Sequence, residues 1–243
     1  MFELKTTTEK LLEILNILSA IGDESRFNIT KSGITSTIVD PANVALVSVE
    51  IPSEYFDEYK ADEMMIGLDL IKISSNLSGV AKNEPVMIQY DSTNQKLCVK
   101  TGNYNYIFSS LDPKSIREIQ IPQISMDATA EVPVREIQKI IKALSKMEET
   151  TVVNISKEKK EISFISSSTT DTAKGTITDE IMTKSPTGSA KTTYSLDYLV
   201  DIFKAIKAET VNLEMGTNKP IKISIDLSLS ATASFMLAPR IEN

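Results

Sequence analysis

Four cationic side chains recur along the stretch from 132 to 147. Arg135, Lys139, Lys142 and Lys146 are separated by four, three and four residues. In an α-helix this spacing places all four side chains on one side. There they would contact the phosphates of a nucleic acid without reading its bases. An ordinary solvated helix has the same pattern, so this helix alone does not decide between the two interpretations.

Further cations lie on the other predicted helices. A helix at 195–208 carries Lys204 and Lys207, three residues apart and on a common face. The first half of the chain offers three more candidates: Lys10, Lys72 and Lys82. Glu13 interrupts the first of these helices. No aromatic side chain accompanies the cations, which argues against stacking on single-stranded bases and favours contact with the backbone of a duplex.

The residue types that catalysis requires are scarce. The sequence has no histidine and a single cysteine, which removes the commonest general base, the commonest metal ligand and any thiolate zinc site. The segment SPTGSAKTT is not a phosphate-binding loop, because Ser185 and Ala190 stand where that loop needs glycines. We therefore expect no catalytic residue, no metal and no cofactor. A carboxylate-based hydrolase is the remote alternative.

The basic helices belong to an acidic chain. Its 243 residues carry a net charge of −7, and the composition is that of a globular protein, with 41% hydrophobic residues. The length allows two domains of ordinary size. The single cysteine is typical of a reducing compartment, and no apolar run is long enough to cross a bilayer. We expect an intracellular protein without membrane contact.

The chain repeats itself after 126 residues. The apolar positions of a helix predicted at 8–21 recur in the helix predicted at 132–147. The strand SRFNITK that follows the first corresponds to TVVNISK after the second. Another helix, at 68–82, corresponds to the one at 195–208. Strands with alternating apolar positions follow every helix, a pattern typical of antiparallel sheet.

These repeats predict an α+β fold of two similar domains that arose by internal duplication, with the helices on one face of antiparallel sheets. The predicted domains span 1–111 and 129–243, and a connector at 112–128 joins them. The connector places Ile119 and Ile121 among polar residues. Such isoleucines either pack locally or form part of a docking surface.

Three segments of the sequence resemble one family. They are MFELKTTTEKLLEILNILSAI at the start, IVDPANVALVSVEIP at 38–52 and FMLAPRIE at 235–242. In this order they are similar to segments of the proliferating cell nuclear antigen (PCNA) family, the sliding clamps of archaea and eukaryotes. The resemblance covers the whole chain and places a connector at its centre. The isoleucine- and lysine-rich composition and the absence of a long C-terminal tail favour an archaeal member.

The resemblance implies a DNA-clamp fold that closes as a ring. Three chains, as a homotrimer, would surround double-stranded DNA with the helices lining the hole. Such a clamp is a processivity factor of DNA replication and repair and has no catalytic activity. It tethers DNA polymerase, clamp loader, flap endonuclease and DNA ligase through short peptide motifs. The alternative is one subunit of a heterotrimeric replication or checkpoint clamp. An archaeal clamp would be cytoplasmic and associated with the nucleoid.

The same resemblance implies two further sites. The pocket for partner peptides would comprise Val39, Val44, Leu46, Ile119, Ile121, Pro122, Pro220, Met236, Ala238 and Pro239. Met236 stands where many members carry an aromatic residue. Ring closure would pair an edge strand at 104–110 with one at 173–178 of the next chain. The interface residues would be Tyr106, Ile107, Ala173, Lys174, Gly175, Thr176 and Ile177.

Overall fold

A computed structural model describes residues 1–240. The last two residues of the FMLAPRIE motif, Ile241 and Glu242, lie outside the described residues. The chain divides into two compact units, each made of three segments. Unit 1 comprises Met1–Asp40, Val47–Gln120 and Leu227–Ala233. Unit 2 comprises Pro41–Leu46, Ile121–Asp226 and the described residues from Ser234 onward. The predicted connector therefore passes from unit 1 to unit 2 after Gln120.

The first half of the chain supplies nine strands and two α-helices. In chain order they are β1 (Phe2–Thr7), α1 (Thr8–Ser19), β2 (Glu24–Thr30), β3 (Gly33–Val39), β4 (Ala45–Pro52), β5 (Glu58–Ala61), β6 (Met64–Asp69), α2 (Leu70–Leu77), β7 (Pro85–Asp91), β8 (Lys96–Thr101) and β9 (Tyr104–Ser109). One antiparallel sheet has the order β5-β1-β7-β8-β9. The other strands are neighbours in the order β4-β3-β2-β6.

The second half supplies eight strands and two α-helices. In chain order they are β10 (Ala128–Pro133), α3 (Val134–Leu144), β11 (Thr150–Ser156), β12 (Glu161–Ser167), β13 (Thr172–Thr178), β14 (Ala190–Ser195), α4 (Leu196–Ala205), β15 (Thr210–Met215), β16 (Ile221–Asp226) and β17 (Thr232–Leu237). The strands are neighbours in the orders β10-β15-β16-β17 and β13-β12-β11-β14.

The two halves have the same topology. The order β1-β7-β8-β9 recurs as β10-β15-β16-β17, and the order β4-β3-β2-β6 recurs as β13-β12-β11-β14. The edge strand β5 has no counterpart in the second half. Thr8 begins α1 and Val134 begins α3, a separation of 126 residues. Leu70 and Leu196 begin α2 and α4 at the same separation. The predicted α+β fold with an internal duplication is confirmed.

The helices begin where a strand ends, and local hydrogen bonds fix those positions. The Thr7 hydroxyl accepts a bond from the amide of Lys10 at the start of α1, and the Asp69 carboxylate accepts one from the amide of Lys72, at 2.8 Å, at the start of α2. No side chain caps α3, but the amide of Val134 donates to the carbonyl of Glu209 at 3.0 Å. Each helix therefore starts at a defined residue of its own unit.

Sequence periodicity overestimated the length of every helix. The helix predicted at 132–147 is α3, Val134–Leu144, and the one predicted at 68–82 is α2, Leu70–Leu77. Val132 has no exposed surface, as a residue on the apolar face of a helix would, but it belongs to β10. A buried residue at the end of a strand satisfies the apolar pattern of the following helix, so the pattern alone does not mark the boundary.

Candidate nucleic-acid interface and docking surface

Helix α3 separates apolar from cationic side chains. Ile137, Ile141 and Leu144 are at most 3% exposed and face the core of unit 2. All four cations predicted for this helix are exposed: Arg135, Lys139, Lys142 and Lys146. Lys146 lies just beyond the last helical residue, in the turn that follows. The predicted cationic face is therefore present and accessible in unit 2.

One carboxylate occupies the N-terminal end of this face. Nε of Arg135 lies 3.3 Å from Oε1 of Glu136, and Nζ of Lys139 lies 2.9 Å from the same oxygen. The hydrogen bond from Lys139, together with the charges of Lys139 and Arg135, lowers the pKa of the Glu136 carboxyl below its usual range. Within the described part of the chain, Lys142 and Lys146 form no ion pair. They are the most available cations of the face.

The end of α4 differs from the prediction. Helix α4 stops at Ala205 because Ile206 is extended, with φ −78° and ψ 123°. Lys204 is therefore helical while Lys207 is not, and the expectation that they share a helix face is wrong. Nε2 of Gln138 donates to the carbonyl of Phe203 at 2.7 Å, which binds α3 to the last turn of α4.

A groove lies at this junction of α3 and α4. It has a volume of about 570 Å³, and its lining includes Arg135, Gln138 and Lys207. Lys207 therefore shares a groove with Arg135 of α3 although it lies outside the helix α4. The sequence did not single out Gln138, because a polar residue between Ile137 and Lys139 is unremarkable at the flank of an amphipathic helix.

The candidate cations of unit 1 are less available. Nζ of Lys10 donates to the carbonyl of Tyr55 at 2.9 Å and lies 3.5 Å from Oδ1 of Asp57. The same nitrogen lies 5.2 Å from the centre of the Tyr55 ring, and the Lys10 side chain is only 25% exposed. Lys72 on α2 and Lys82 in the turn beyond it are exposed. Lys10 thus contributes to the packing of unit 1, and two cations remain free to meet a partner.

The residues predicted for a peptide pocket are distributed over both units. Val39 and Ile119 belong to unit 1, and the remaining eight belong to unit 2: Val44, Leu46, Ile121, Pro122, Pro220, Met236, Ala238 and Pro239. Within unit 2, the amide of Ala238 donates to the carbonyl of Val44 at 2.8 Å. Leu46 and Met236 are buried, at 7% and 8% exposure, whereas Ile121 is 37% exposed. Ile121 offers more surface to a partner than either buried residue.

A second groove in unit 2 contains one of these residues, Pro239. Its volume is about 610 Å³, and it is lined by Val152, Lys191, Thr192, Thr193, Thr217, Asn218, Pro239 and Arg240. The amide of Arg240 donates to the carbonyl of Thr193 at 2.8 Å, which holds the C-terminal segment against β14. Apart from Pro239, sequence reasoning missed this groove, because its residues come from strands and turns that are distant in the chain.

The two strands predicted to close a ring are both sheet edges. β9 is the last strand of β5-β1-β7-β8-β9, and β13 is the first of β13-β12-β11-β14. On β9, Tyr106 is half-buried and Ile107 is 62% exposed. On β13, Nζ of Lys174 lies 3.5 Å from Oε1 of Glu161. The side chain of Ile177 is only 1% exposed, and three further residues of the strand are half-buried: Ala173, Gly175 and Thr176. The Ile177 side chain belongs to the core, so only its main chain is available at the edge.

Comparison with known protein families matches residues 1–240 of the chain. The profile of the proliferating cell nuclear antigen N-terminal domain matches residues 1–132, and that of the C-terminal domain matches residues 120–240. The chain belongs to the proliferating cell nuclear antigen family. It is a DNA polymerase sliding clamp, a processivity factor and not an enzyme.

Individual PCNA relatives match over their full length. The DNA polymerase sliding clamp of Methanococcoides burtonii is 34% identical over 248 residues and covers 100% of both chains. That of Methanothrix thermoacetophila is 35% identical over 237 residues, 96% of each chain. Both organisms are archaea. The structure described as the C-terminal region of FEN-1 bound to A. fulgidus PCNA superposes with a TM-score of 0.92, at 27% identity over 100% of both chains.

Residues 1–240 contain no group of three or more His, Cys, Asp or Glu side chains that is placed to hold a metal ion. None of the helices in that range is long and apolar enough to cross a membrane.

Proposed function

We propose that this clamp closes as a homotrimeric ring around double-stranded DNA and tethers replication and repair enzymes through short peptide motifs. The observation that carries the proposal is the presence of two unpaired sheet edges, β9 in unit 1 and β13 in unit 2. Unpaired edges expose main-chain hydrogen-bonding groups that a partner strand can satisfy.

The internal duplication supports this pairing. In the matched topology, β9 is equivalent to β17 and β13 is equivalent to β4. The ends of β17 and β4 adjoin within unit 2, where the amide of Ala238 donates to the carbonyl of Val44 at 2.8 Å. A head-to-tail contact of β9 with β13 of the next chain would repeat between chains an arrangement that exists inside one chain. Repetition of one such contact closes a ring when the rotation allows it.

Contact with DNA is the role we propose for the cationic side chains. Arg135, Lys139, Lys142, Lys146 and Lys204 are exposed on or beside the helices of unit 2, and Lys207 lies in the adjoining groove. Lys72 and Lys82 add two cations from unit 1. Contacts of this kind are independent of base sequence and sensitive to salt, which suits a ring that must slide.

Partner docking is supported by the A. fulgidus PCNA structure, which contains the C-terminal region of FEN-1. We assign the equivalent role here to the predicted pocket, with exposed Ile121 and Pro122 on the connector. By the same family resemblance, DNA polymerase, clamp loader and DNA ligase would use this pocket as well. The protein would then act inside the cell, where the chromosomal DNA lies.

The mass in solution tests ring closure. Light scattering down to sub-micromolar concentration should give about 80 kDa, three times the 26.8 kDa of one chain. Ile107→Asp, at the β9 edge, should give the single-chain mass. Met65→Asp is the matched control, because Met65 is 51% exposed on another strand, and it should leave the trimer intact. A single-chain mass for the unmodified protein at every concentration would refute the homotrimer and favour the heterotrimeric clamp.

The DNA contact is tested separately. Lys142→Glu combined with Lys146→Glu should weaken loading onto circular duplex while the trimer mass stays unchanged. Lys157→Glu with Lys159→Glu, which reverses two exposed lysines in the turn after β11, is the control for total charge. Unimpaired loading of the first variant would contradict the proposed role of these lysines.

A further inference from the structure

The connector is held to unit 1 at its beginning. The amide of Leu111 donates to the carbonyl of Gly67 on β6 at 2.8 Å. A Cβ atom at Gly67 would lie 2.8 Å from the Leu111 oxygen and 3.0 Å from Cδ1 of Ile116, so glycine is needed for this approach. On β2, Arg26 is directly opposite Gly67. Its guanidinium lies 3.1 Å from Oε1 of Glu118. We call this Arg26–Glu118 pair the first anchor.

The connector is held to unit 2 at its end. The amide of Asp127 donates to the carbonyl of Met215 at 3.0 Å. Nζ of Lys219 donates to the carbonyl of Ser125 at 3.0 Å and to Oδ1 of Asp127 at 3.1 Å. A Cβ atom at Gly216 would lie 2.7 Å from Oδ2 of Asp127 and would also meet the Lys219 side chain, so a larger residue there would displace this pair. We call the contacts of Lys219 the second anchor.

The segment between the anchors is not held in this way. None of the described hydrogen bonds or ion pairs involves residues 119–124. These residues include Ile119, Ile121 and Pro122, the part of the predicted pocket that lies on the connector. A six-residue segment without hydrogen bonds depends on its ends to limit its conformations, because each residue left free carries substantial backbone entropy.

We propose that Arg26 and Lys219 are positioning residues for peptide docking, which hold the two ends of the connector so that Ile119 and Ile121 are presented to the partner. The inference rests on the proposed docking function. In both anchors the carboxylate is more exposed than the cation: Glu118 is 77% exposed against 14% for Arg26, and Asp127 48% against 33% for Lys219. Such pairs are weakened by salt, so docking should become weaker as salt rises.

Charge reversal and its repair test the second anchor. The probe is a synthetic peptide of the FEN-1 C-terminal region, titrated calorimetrically into the trimer. Lys219→Glu should weaken binding about two- to fivefold, the range expected for one partly exposed ion pair. Lys219→Glu combined with Asp127→Lys restores the pair in reverse and should recover most of the affinity. The equivalent experiment on the first anchor uses Arg26→Glu and then Glu118→Arg.

Lys222→Glu provides the matched control. Lys222 on β16 pairs with Glu214 on β15 at 3.0 Å and is 36% exposed, and among the described residues it forms no hydrogen bond or ion pair with the connector. It should leave peptide affinity unchanged. Hydrogen exchange of the connector amides supplies a reading that needs no peptide. Exchange of the Asp127 amide, which donates to the carbonyl of Met215, should accelerate in Lys219→Glu, return in the reversed pair and stay unchanged in Lys222→Glu.

These measurements distinguish failure of peptide docking itself from failure of the positioning role of Arg26 and Lys219. If the unmodified trimer does not bind the peptide, the proposed docking function fails and the inference falls with it. If the trimer binds and Lys219→Glu binds equally well, docking stands and the positioning role is overturned. The positioning role is also overturned if the reversed pair does not recover the peptide affinity lost in Lys219→Glu, or if Lys222→Glu loses affinity as well. The loss would then come from the change in net charge or from damage to the sheet.

Discussion

The helices α1 and α3 occupy equivalent places in the two units, yet the positions that carry the cations of α3 carry no cation in α1. Arg135, Lys139, Lys142 and Lys146 of the α3 face correspond, at the separation of 126 residues, to Glu9, Glu13, Asn16 and Ala20. The buried positions diverge less: Leu15 and its equivalent Ile141 are 3% and 2% exposed, although Ile17, at 0%, corresponds to the exposed Ala143. The duplication kept most of the apolar face and changed the polar one.

The difference separates folding from function. Apolar residues that fill the core are restricted by packing, whereas exposed positions are free to change in charge. Glutamates on α1 would repel phosphates, and Lys10, the one lysine near the start of that helix, is bonded to Tyr55 and Asp57. We therefore expect unit 2 to supply most of the contacts with DNA and unit 1 to supply few.

The largest effects should come from the shared apolar faces. Ile141→Ala and Leu15→Ala should each lower the free energy of unfolding by about 2–5 kcal/mol, because each leaves a cavity in its unit. Leu15 already borders an apolar cavity of about 60 Å³ in unit 1, so it has fewer packing partners and its loss should be the smaller. Urea denaturation measures both. A cost below 1 kcal/mol for Ile141→Ala would contradict the packing described here.

Exchange of the polar faces should change DNA binding without changing the fold. Arg135→Glu, Lys139→Glu, Lys142→Asn and Lys146→Ala together give α3 the surface of α1. Duplex affinity should fall by about one to two orders of magnitude, and the slope of log K against log salt should become shallower by about one for each lost contact. Fluorescence anisotropy over a salt series measures both quantities.

The converse exchange tests whether α1 is placed to meet DNA at all. Glu9→Arg with Asn16→Lys gives α1 two of the charges of α3, and the slope should steepen if this face also borders the duplex. A shallower slope here, or an unchanged slope in the α3 variant, would contradict the proposed difference between the two units.

A smaller effect is expected at Lys10, and on stability alone. Lys10→Met removes a hydrogen bond to a buried carbonyl and a cation–π contact, and should cost about 1 kcal/mol of unfolding free energy. The salt dependence of DNA binding should not change. Lys72→Met, at an exposed position on α2, is the control, with unchanged stability and a slope shallower by about one. A shallower slope for Lys10→Met would return this lysine to the set of DNA contacts.

Lys10 also shows which structural features local sequence patterns predict and which they do not. The repeat and the apolar periodicity predicted the duplicated fold and the succession of helices and strands along each half, because those patterns are set by burial inside a short segment. The role of Lys10 depends on Tyr55 and Asp57, about 45 residues away, and no local pattern contains that information. The same holds for the Thr193–Arg240 groove and for the anchors at Arg26 and Lys219. Lys207 was misplaced for a different reason, since apolar spacing continued past the extended residue Ile206.

The smallest effects should come from two glutamates, Glu136 in α3 and Glu9 in α1. Glu136 offsets two cations of the α3 face. Glu136→Gln releases Arg135 and Lys139, and duplex affinity should rise about twofold, as expected when one repulsive charge is removed from an exposed surface. The equivalent change in α1, Glu9→Gln, should have a lesser effect, because that helix has no comparable cluster of exposed cations.

The pH dependence of DNA affinity tests whether Glu136 stays charged beside Arg135 and Lys139. The pKa of Glu136 is lowered in the folded protein, so its pairs with Arg135 and Lys139 persist through the range where an ordinary Glu takes up a proton and are lost only as the pH falls through the lowered value. The Glu136→Gln protein has no such titration. The twofold difference in DNA affinity between the two proteins should therefore hold at neutral pH and still hold near pH 4.3, the ordinary value for Glu. It should close only at lower pH. A difference that closes well above that value would mean that Lys139 does not hold the carboxylate in its charged form.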